Sequence, residues 1–161
     1  MSSLLVSEPT GTAADPLPRV GARLLLVAPG GQVLLIHERY APGRTHWITP
    51  GGGVEPGESL VAGACREVYE ETGRWVELTA GSPEVLRTRR RWDYDGRFYD
   101  QVDHFFVATV AAPFDPAPAA LTPQEQQTTL GARWWSVAEL AATDEEIVPP
   151  ELARVLARLG Y

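Results

Sequence analysis

The 161-residue sequence predicts a single α/β domain of the α+β kind, a mixed β-sheet covered by helices. Three observations carry that expectation. Apolar, β-prone runs recur between glycine and proline turns, one long helical segment interrupts them, and short helical segments close the chain. With 44% hydrophobic and 22% charged residues the chain can bury one core, and its length is short for two.

Residues 1 to 18 mix Ser, Thr, Gly, Ala and Pro without a sustained period, and they read as a flexible N-terminal arm ahead of a domain spanning 19 to 161. Val20 to Ala28 and Gln32 to Tyr40 flank Pro29-Gly30-Gly31 and predict a hairpin. His46 to Thr49 is a short extended piece stopped by Pro50 and three glycines. Ser59 to Thr72 predicts a helix, with Ser59 as its N-cap and Gly73 as its terminator. Strand-like runs follow at Trp75 to Leu78, Val85 to Trp92, Phe98 to Val110 and Ala132 to Val137, with a turn at Asp93-Tyr94-Asp95-Gly96. Ala111 to Pro123 is Ala/Pro-rich and reads as a surface loop. Short helices are expected at Val137 to Ala142 and Glu151 to Leu159.

The net charge of -7 argues against a binder of nucleic-acid polymers, which needs a basic surface, but not against a nucleotide substrate whose charge a divalent cation offsets. Cys65 is the only cysteine, so neither an internal disulfide nor a multi-thiolate zinc site is available, and a reducing, cytoplasmic setting fits. No run reaches the roughly 18 apolar residues of a membrane span, so no membrane partner is expected. A homodimer is compatible with the sequence.

On a helix of about 100° per residue, Glu70 and Glu71 fall within about 60° of Glu67, while Val61, Cys65, Val68 and Thr72 form an apolar stripe turned away from them. Like charges at this spacing repel, the more so near a helix C-terminus. Hard oxygen donors on a rigid helix suit Mg²⁺, with Mn²⁺ an alternative. A solvated acidic face is the plainer alternative. The preceding Pro50-Gly51-Gly52-Gly53 and Pro56-Gly57 allow close backbone approach to a ligand, yet they form neither a P-loop nor a dinucleotide fingerprint.

Gly52, five residues, Glu58, seven residues and Arg66-Glu67-Val68-Tyr69-Glu70-Glu71-Thr72-Gly73 together resemble the Nudix box, Gly-x5-Glu-x7-Arg-Glu-U-x-Glu-Glu-x-Gly-U, where U is aliphatic. The match fails only at the last position, where Arg74 stands. Trp47-x-x-Pro50-Gly51-Gly52, Val33 to Ile36 with Arg39, and Arg133 to Leu140 also resemble family segments, extending the likeness over Val20 to Leu159.

The resemblance implies a Nudix-type α/β/α sandwich and a metal-dependent pyrophosphohydrolase, acting on a nucleoside diphosphate linked to another moiety. Glu67, Glu70 and Glu71 would be metal ligands, one of them also the general base, with Glu125 the candidate for a further ligand from beyond the box. Arg66 would pair with Glu58 and orient the ligands, and Gly52 and Gly53 would bring backbone near the substrate. Arg39, Arg89 and Arg91 are candidates for substrate phosphates; strand alternation puts Arg87, Arg89 and Arg91 on one face, which also describes a charged edge strand. Asp100 and Asp103 are weaker ligand candidates. Family markers of ADP-ribose and dinucleoside polyphosphate hydrolysis are missing, since Thr88, Arg89 and Arg90 occupy that region. The alternative is a non-catalytic nucleotide-binding module with the same fold.

Overall fold

The computed structural model of the chain describes residues 8–161. Their elements run β1 (Leu17–Ala28), β2 (Gln32–Ala41), β3 (Arg44–Ile48), β4 (Gly51–Gly53), α1 (Leu60–Thr72), β5 (Leu86–Tyr94), β6 (Arg97–Thr109), α2 (Pro123–Thr128), β7 (Thr129–Trp135), α3 (Val137–Ala142), β8 (Ile147–Val148) and α4 (Leu152–Arg158).

The expected hairpin is present: β1 and β2 pair through Val27–Val33 and Ala28–Gln32, and Gly30 and Gly31 both take positive φ in the turn. One edge of β1 pairs in parallel with β6, from Leu17–Tyr99 to Val27–Thr109. Its other edge is shared, with β2 at the hairpin end and β4 at the far end, where Gly21 to Arg23 face Gly53 to Gly51. The sheet order is β5-β6-β1-β2-β3-β8, with β4 on β1 and β7 on β2. Two parallel pairs, β1–β6 and β3–β8, make it mixed.

Alternation along β1 divides the core into two. Ala22, Leu24 and Leu26 pack with Ala64 and Val68 of α1 and with Phe106. Leu25 and Val27 pack on the other face with Val33, Leu35, Phe105 and Trp135, covered by Leu140 of α3 and by Leu152 and Leu156 of α4. Each fully buried Leu, Val or Phe side chain among these stabilises the fold by about 1.5–3 kcal/mol. The result is the α/β/α sandwich.

The first seven residues of the expected 1–18 arm lie outside the described residues. The remainder is tied down: the Phe98 amide donates to the Gly11 carbonyl at 2.9 Å, and Leu17 and Pro18 already belong to β1. Trp75 to Leu78 forms no ladder, because its in-out alternation serves another purpose: Val76 and Leu78 pack into the α1 core while Trp75 stays exposed. Strands β4 and β8, of three and two residues, were too short to show a period. Among the described residues no helix is long and apolar enough to cross a membrane.

Candidate active site

Helix α1 starts where Ser59 Oγ accepts the Ala62 amide at 3.1 Å, and it ends at Gly73, left-handed at φ 69°. Two of the three acids on its acidic face are buried. Glu67 and Glu71 are each 8% exposed, because that face lies against β4. The absence of a side chain at Gly52 makes the approach workable: a β-carbon there would stand 2.6 Å from the Glu67 carboxyl carbon. One residue earlier, the Gly51 amide donates to Glu71 Oε2 at 2.8 Å.

Arg66 gathers the rest. Its Nε and Nη2 donate to Glu58 Oε1 and Oε2, both at 3.0 Å; its Nη1 donates to Glu67 Oε1 at 3.0 Å and Glu70 Oε2 at 3.1 Å; Nη2 also reaches the Gly53 carbonyl at 2.9 Å. The Arg66 hydrogen bonds hold the Glu58 carboxyl below its usual range. Burial pushes Glu67 up against the opposing pull of Arg66, with the charges of Glu70 and Glu125 adding to the rise. Burial, then the charge of Glu38, pushes Glu71 well up. Burial thus makes the charged forms of Glu67 and Glu71 costly where no cation stands beside them.

Among the described residues no three His, Cys, Asp or Glu side chains are drawn together tightly enough to hold an ion. The bonds just described explain the spread, since Arg66 takes up Glu67 and Glu70 while Gly51 takes up Glu71. The donor chemistry still fits a hard divalent cation: three carboxylates from one helix, beside a glycine cradle that a single β-carbon would fill.

Glu125 lies near enough for its charge to act on Glu67. It sits in α2, a short helix just beyond the Ala/Pro-rich loop, and its Oε2 closes a capping box with the Thr122 amide (2.7 Å) and hydroxyl (2.8 Å). The segment leading to α2 is fastened to the end of α1: Ala117 donates to the Thr72 carbonyl, and Ala119 and Ala120 to that of Glu70. Gly73 makes this contact feasible, since a β-carbon there would stand 2.3 Å from the Ala117 carbonyl oxygen.

The candidate phosphate ligands separate. Arg89 and Arg91 share a face of the edge strand β5, as alternation requires, and both pair with Asp100 of the adjoining β6. Arg39 is exposed near the end of β2, with no ion-pair partner among the described residues. Arg90 points to the opposite face and pairs with Asp103, which also takes Arg23 Nε at 3.2 Å. Arg23 in turn donates to the Thr49 and Gly51 carbonyls, at 2.9 and 3.0 Å. Gly51 thus joins Arg23 to Glu71.

Burial pushes the Asp103 carboxyl up, but the Arg23 and Arg90 charges outweigh it and leave it below the ordinary value. Asp103 is therefore committed to an ion-pair network. Sequence reading missed Arg23; the available signal was a lone charge inside the apolar run Ala22 to Val27, a placement that demands a buried partner.

The sequence model of the NUDIX domain family matches residues 17–159. The chain is 39% identical over 74 residues to the RNA pyrophosphohydrolase of Rhizobium meliloti, covering 43% of this chain and 44% of that protein. It is 40% identical over 60 residues to a putative 8-oxo-dGTP diphosphatase of Bacillus subtilis, covering 37% and 38%. The chain thus spans less than half the length of each of these relatives. The crystal structure of a MutT NUDIX hydrolase from Burkholderia pseudomallei superposes with a TM-score of 0.61 at 22% identity, over 89% of this chain and 98% of that one, a likeness of fold.

Proposed function

The chain belongs to the Nudix family, and from that premise we propose that it is a divalent-metal-dependent pyrophosphohydrolase of a small nucleoside diphosphate derivative. The observation that carries this reading is the Arg66 knot, in which one guanidinium binds Glu58, Glu67, Glu70 and the glycine-loop carbonyl of Gly53. An acidic helix face with a merely solvating role needs no such organiser, and it would not be buried against glycines. The names of the relatives, a pyrophosphohydrolase and a diphosphatase, support the same reaction class. A net charge of -7 favours a small substrate over a polymer.

Glu67, Glu70 and Glu71 would hold Mg²⁺ or Mn²⁺, with Glu125, whose charge reaches Glu67, the candidate for a further ligand. A bound divalent cation supplies charge neutralisation of the diphosphate and a more acidic water. The chain's own residues do the positioning. Arg66 fixes Glu67 and Glu70 relative to the glycine loop, and Gly52 leaves room for the Glu67 carboxylate against that loop. Glu70 is the most exposed of the three acids, 31% at its side chain, and Arg66 engages only its Oε2. Its Oε1 accepts the proton of the attacking water as the water oxygen bonds to one phosphorus. The anhydride P–O bond breaks, and the departing phosphate keeps the bridging oxygen. Little covalent chemistry is asked of the protein in such a transfer.

The test is turnover of a panel of nucleoside triphosphates, nucleotide sugars and oxidised nucleotides by the purified chain, with Mg²⁺ and then with EDTA. Metal-dependent release of two phosphate-bearing products from at least one compound is expected. Tight binding across the panel without turnover would favour the non-catalytic module instead.

A further inference from the structure

Beyond the Nudix box, the face of the sheet formed by β1, β6 and β5 carries the guanidinium groups of Arg19, Arg23 and Arg90. Two of them, Arg23 and Arg90, share Asp103. The third, Arg19, has no carboxylate partner among the described residues. It is exposed, yet it is not loose. Its guanidinium carbon stands 5.4 Å from the Trp92 ring centre, and a β-carbon added to Gly53 would lie 2.8 Å from its Nη2 and 3.2 Å from its Nε. Arg19 therefore rests between an indole and the loop residue whose carbonyl binds Arg66.

The indole is itself fixed. Trp92 stacks on Tyr99 at 4.5 Å, and its Nε1 donates to Gln101 Oε1 at 3.1 Å. Gln101 Nε2 then donates to Asp103 Oδ1 at 2.6 Å, and Gly21 makes room for Asp103, since a β-carbon there would stand 2.1 Å from Oδ1. The register explains the grouping: Arg19 faces Gln101, and Gln101 faces Arg90.

An aromatic ring holds a guanidinium by its face, whereas a carboxylate would consume its N–H groups. Arg19 thus keeps donors free in a place set by Trp92. A planar, permanently charged fork suits a phosphate, and this one stands just outside the loop that borders the carboxylates.

We propose that Arg19 binds a non-scissile phosphate of the substrate, so that the substrate class is one with three or more linked phosphoryl groups. The proposal rests on the pyrophosphohydrolase reading and specifies its substrate. Trp92 is a positioning residue that acts through Arg19. A cleaved pair of phosphates occupies the carboxylate end; a third phosphate continues past Gly53 to Arg19.

The experiment is calorimetric titration, with Mg²⁺ present, of two non-hydrolysable probes without a base: a methylene-bridged diphosphonate and its methylene-bridged triphosphate counterpart. Wild type should bind the triphosphate analogue the more tightly. Arg19→Gln should weaken it about tenfold and leave the diphosphonate within twofold, with partial recovery in Arg19→Lys. Trp92→Leu should show the same selective loss in weaker form. Melting temperatures of the Arg19 variants should match wild type, because the residue is exposed.

Equal affinity of Arg19→Gln and wild type for the triphosphate analogue would overturn the proposal, as would an equal loss on both probes or no preference in wild type. Failure of the pyrophosphohydrolase reading has a different signature: nucleoside triphosphates go uncleaved while the selective binding loss remains.

Discussion

Arg66 and Glu58 meet fork to fork, Nε on Oε1 and Nη2 on Oε2, each at 3.0 Å. Glu58 precedes the helix and Arg66 lies within it, so the pair ties the glycine loop to α1. Lysine offers a point charge in place of that fork. Arg66→Lys is expected to cost about 1–2 kcal/mol of stability and to lower kcat roughly 100-fold, a loss of about 2.7 kcal/mol in the barrier. Urea unfolding and steady-state kinetics on the same preparation check both.

Gly52 and Glu67 are in closer contact than any other residue type at position 52 allows. In Gly52→Ala the added carbon would meet the Glu67 carboxyl at 2.6 Å and displace it. A ligand that binds only the folded state raises the melting temperature by mass action. Mg²⁺ is therefore expected to raise the melting temperature of wild type and to leave that of Gly52→Ala nearly unchanged. An equal rise in both would show that Glu67 does not need its present place.

Asp103 is 1% exposed and holds two guanidiniums. Asp103→Ala leaves both without their carboxylate and is expected to destabilise the fold by about 3 kcal/mol, read as a lower urea midpoint. The pH dependence follows from its lowered carboxyl. A group with a depressed folded value contributes stability above its unfolded value, 3.8, and loses it as pH falls through the folded value. Asp103→Asn should consequently show a smaller drop in urea midpoint between pH 7 and pH 3 than wild type does.

Cys65 is 5% exposed in the α1 core, where burial pushes its thiol up. It is expected to resist a thiol reagent near neutral pH in the folded chain and to react within minutes in denaturant. Fast labelling without unfolding would contradict its packing.

The long elements were legible because each carries a full signal of its own. Ser59 and Gly73 bracket α1, Pro29-Gly30-Gly31 marks the first hairpin, and the glutamate spacing puts three acids on one side of a helix. Contacts made across the fold left no such trace. Nothing local shows that Gly51 bridges Arg23 and Glu71, or that Gly73 serves Ala117 as well as the helix end. Alternation along β5 put Arg89 and Arg91 on one face, but only the sheet shows that Asp100 takes up both and that Arg90 faces the other way. Trp75 to Leu78 shows the reverse error, a true alternation without a neighbouring strand to pair with.

The carboxylates gathered by Arg66 are proposed to perform hydrolysis, with Glu70 Oε1 taking the proton from water. The most direct measurement compares wild type and Glu70→Gln for Mg²⁺-dependent turnover of the best substrate in the panel, alongside melting temperatures without metal. Glutamine keeps the shape and an acceptor for Arg66 but removes the base, so kcat should fall at least about 100-fold with the melting temperature little changed. Turnover at the wild-type rate in Glu70→Gln would show that Glu70 is not the base.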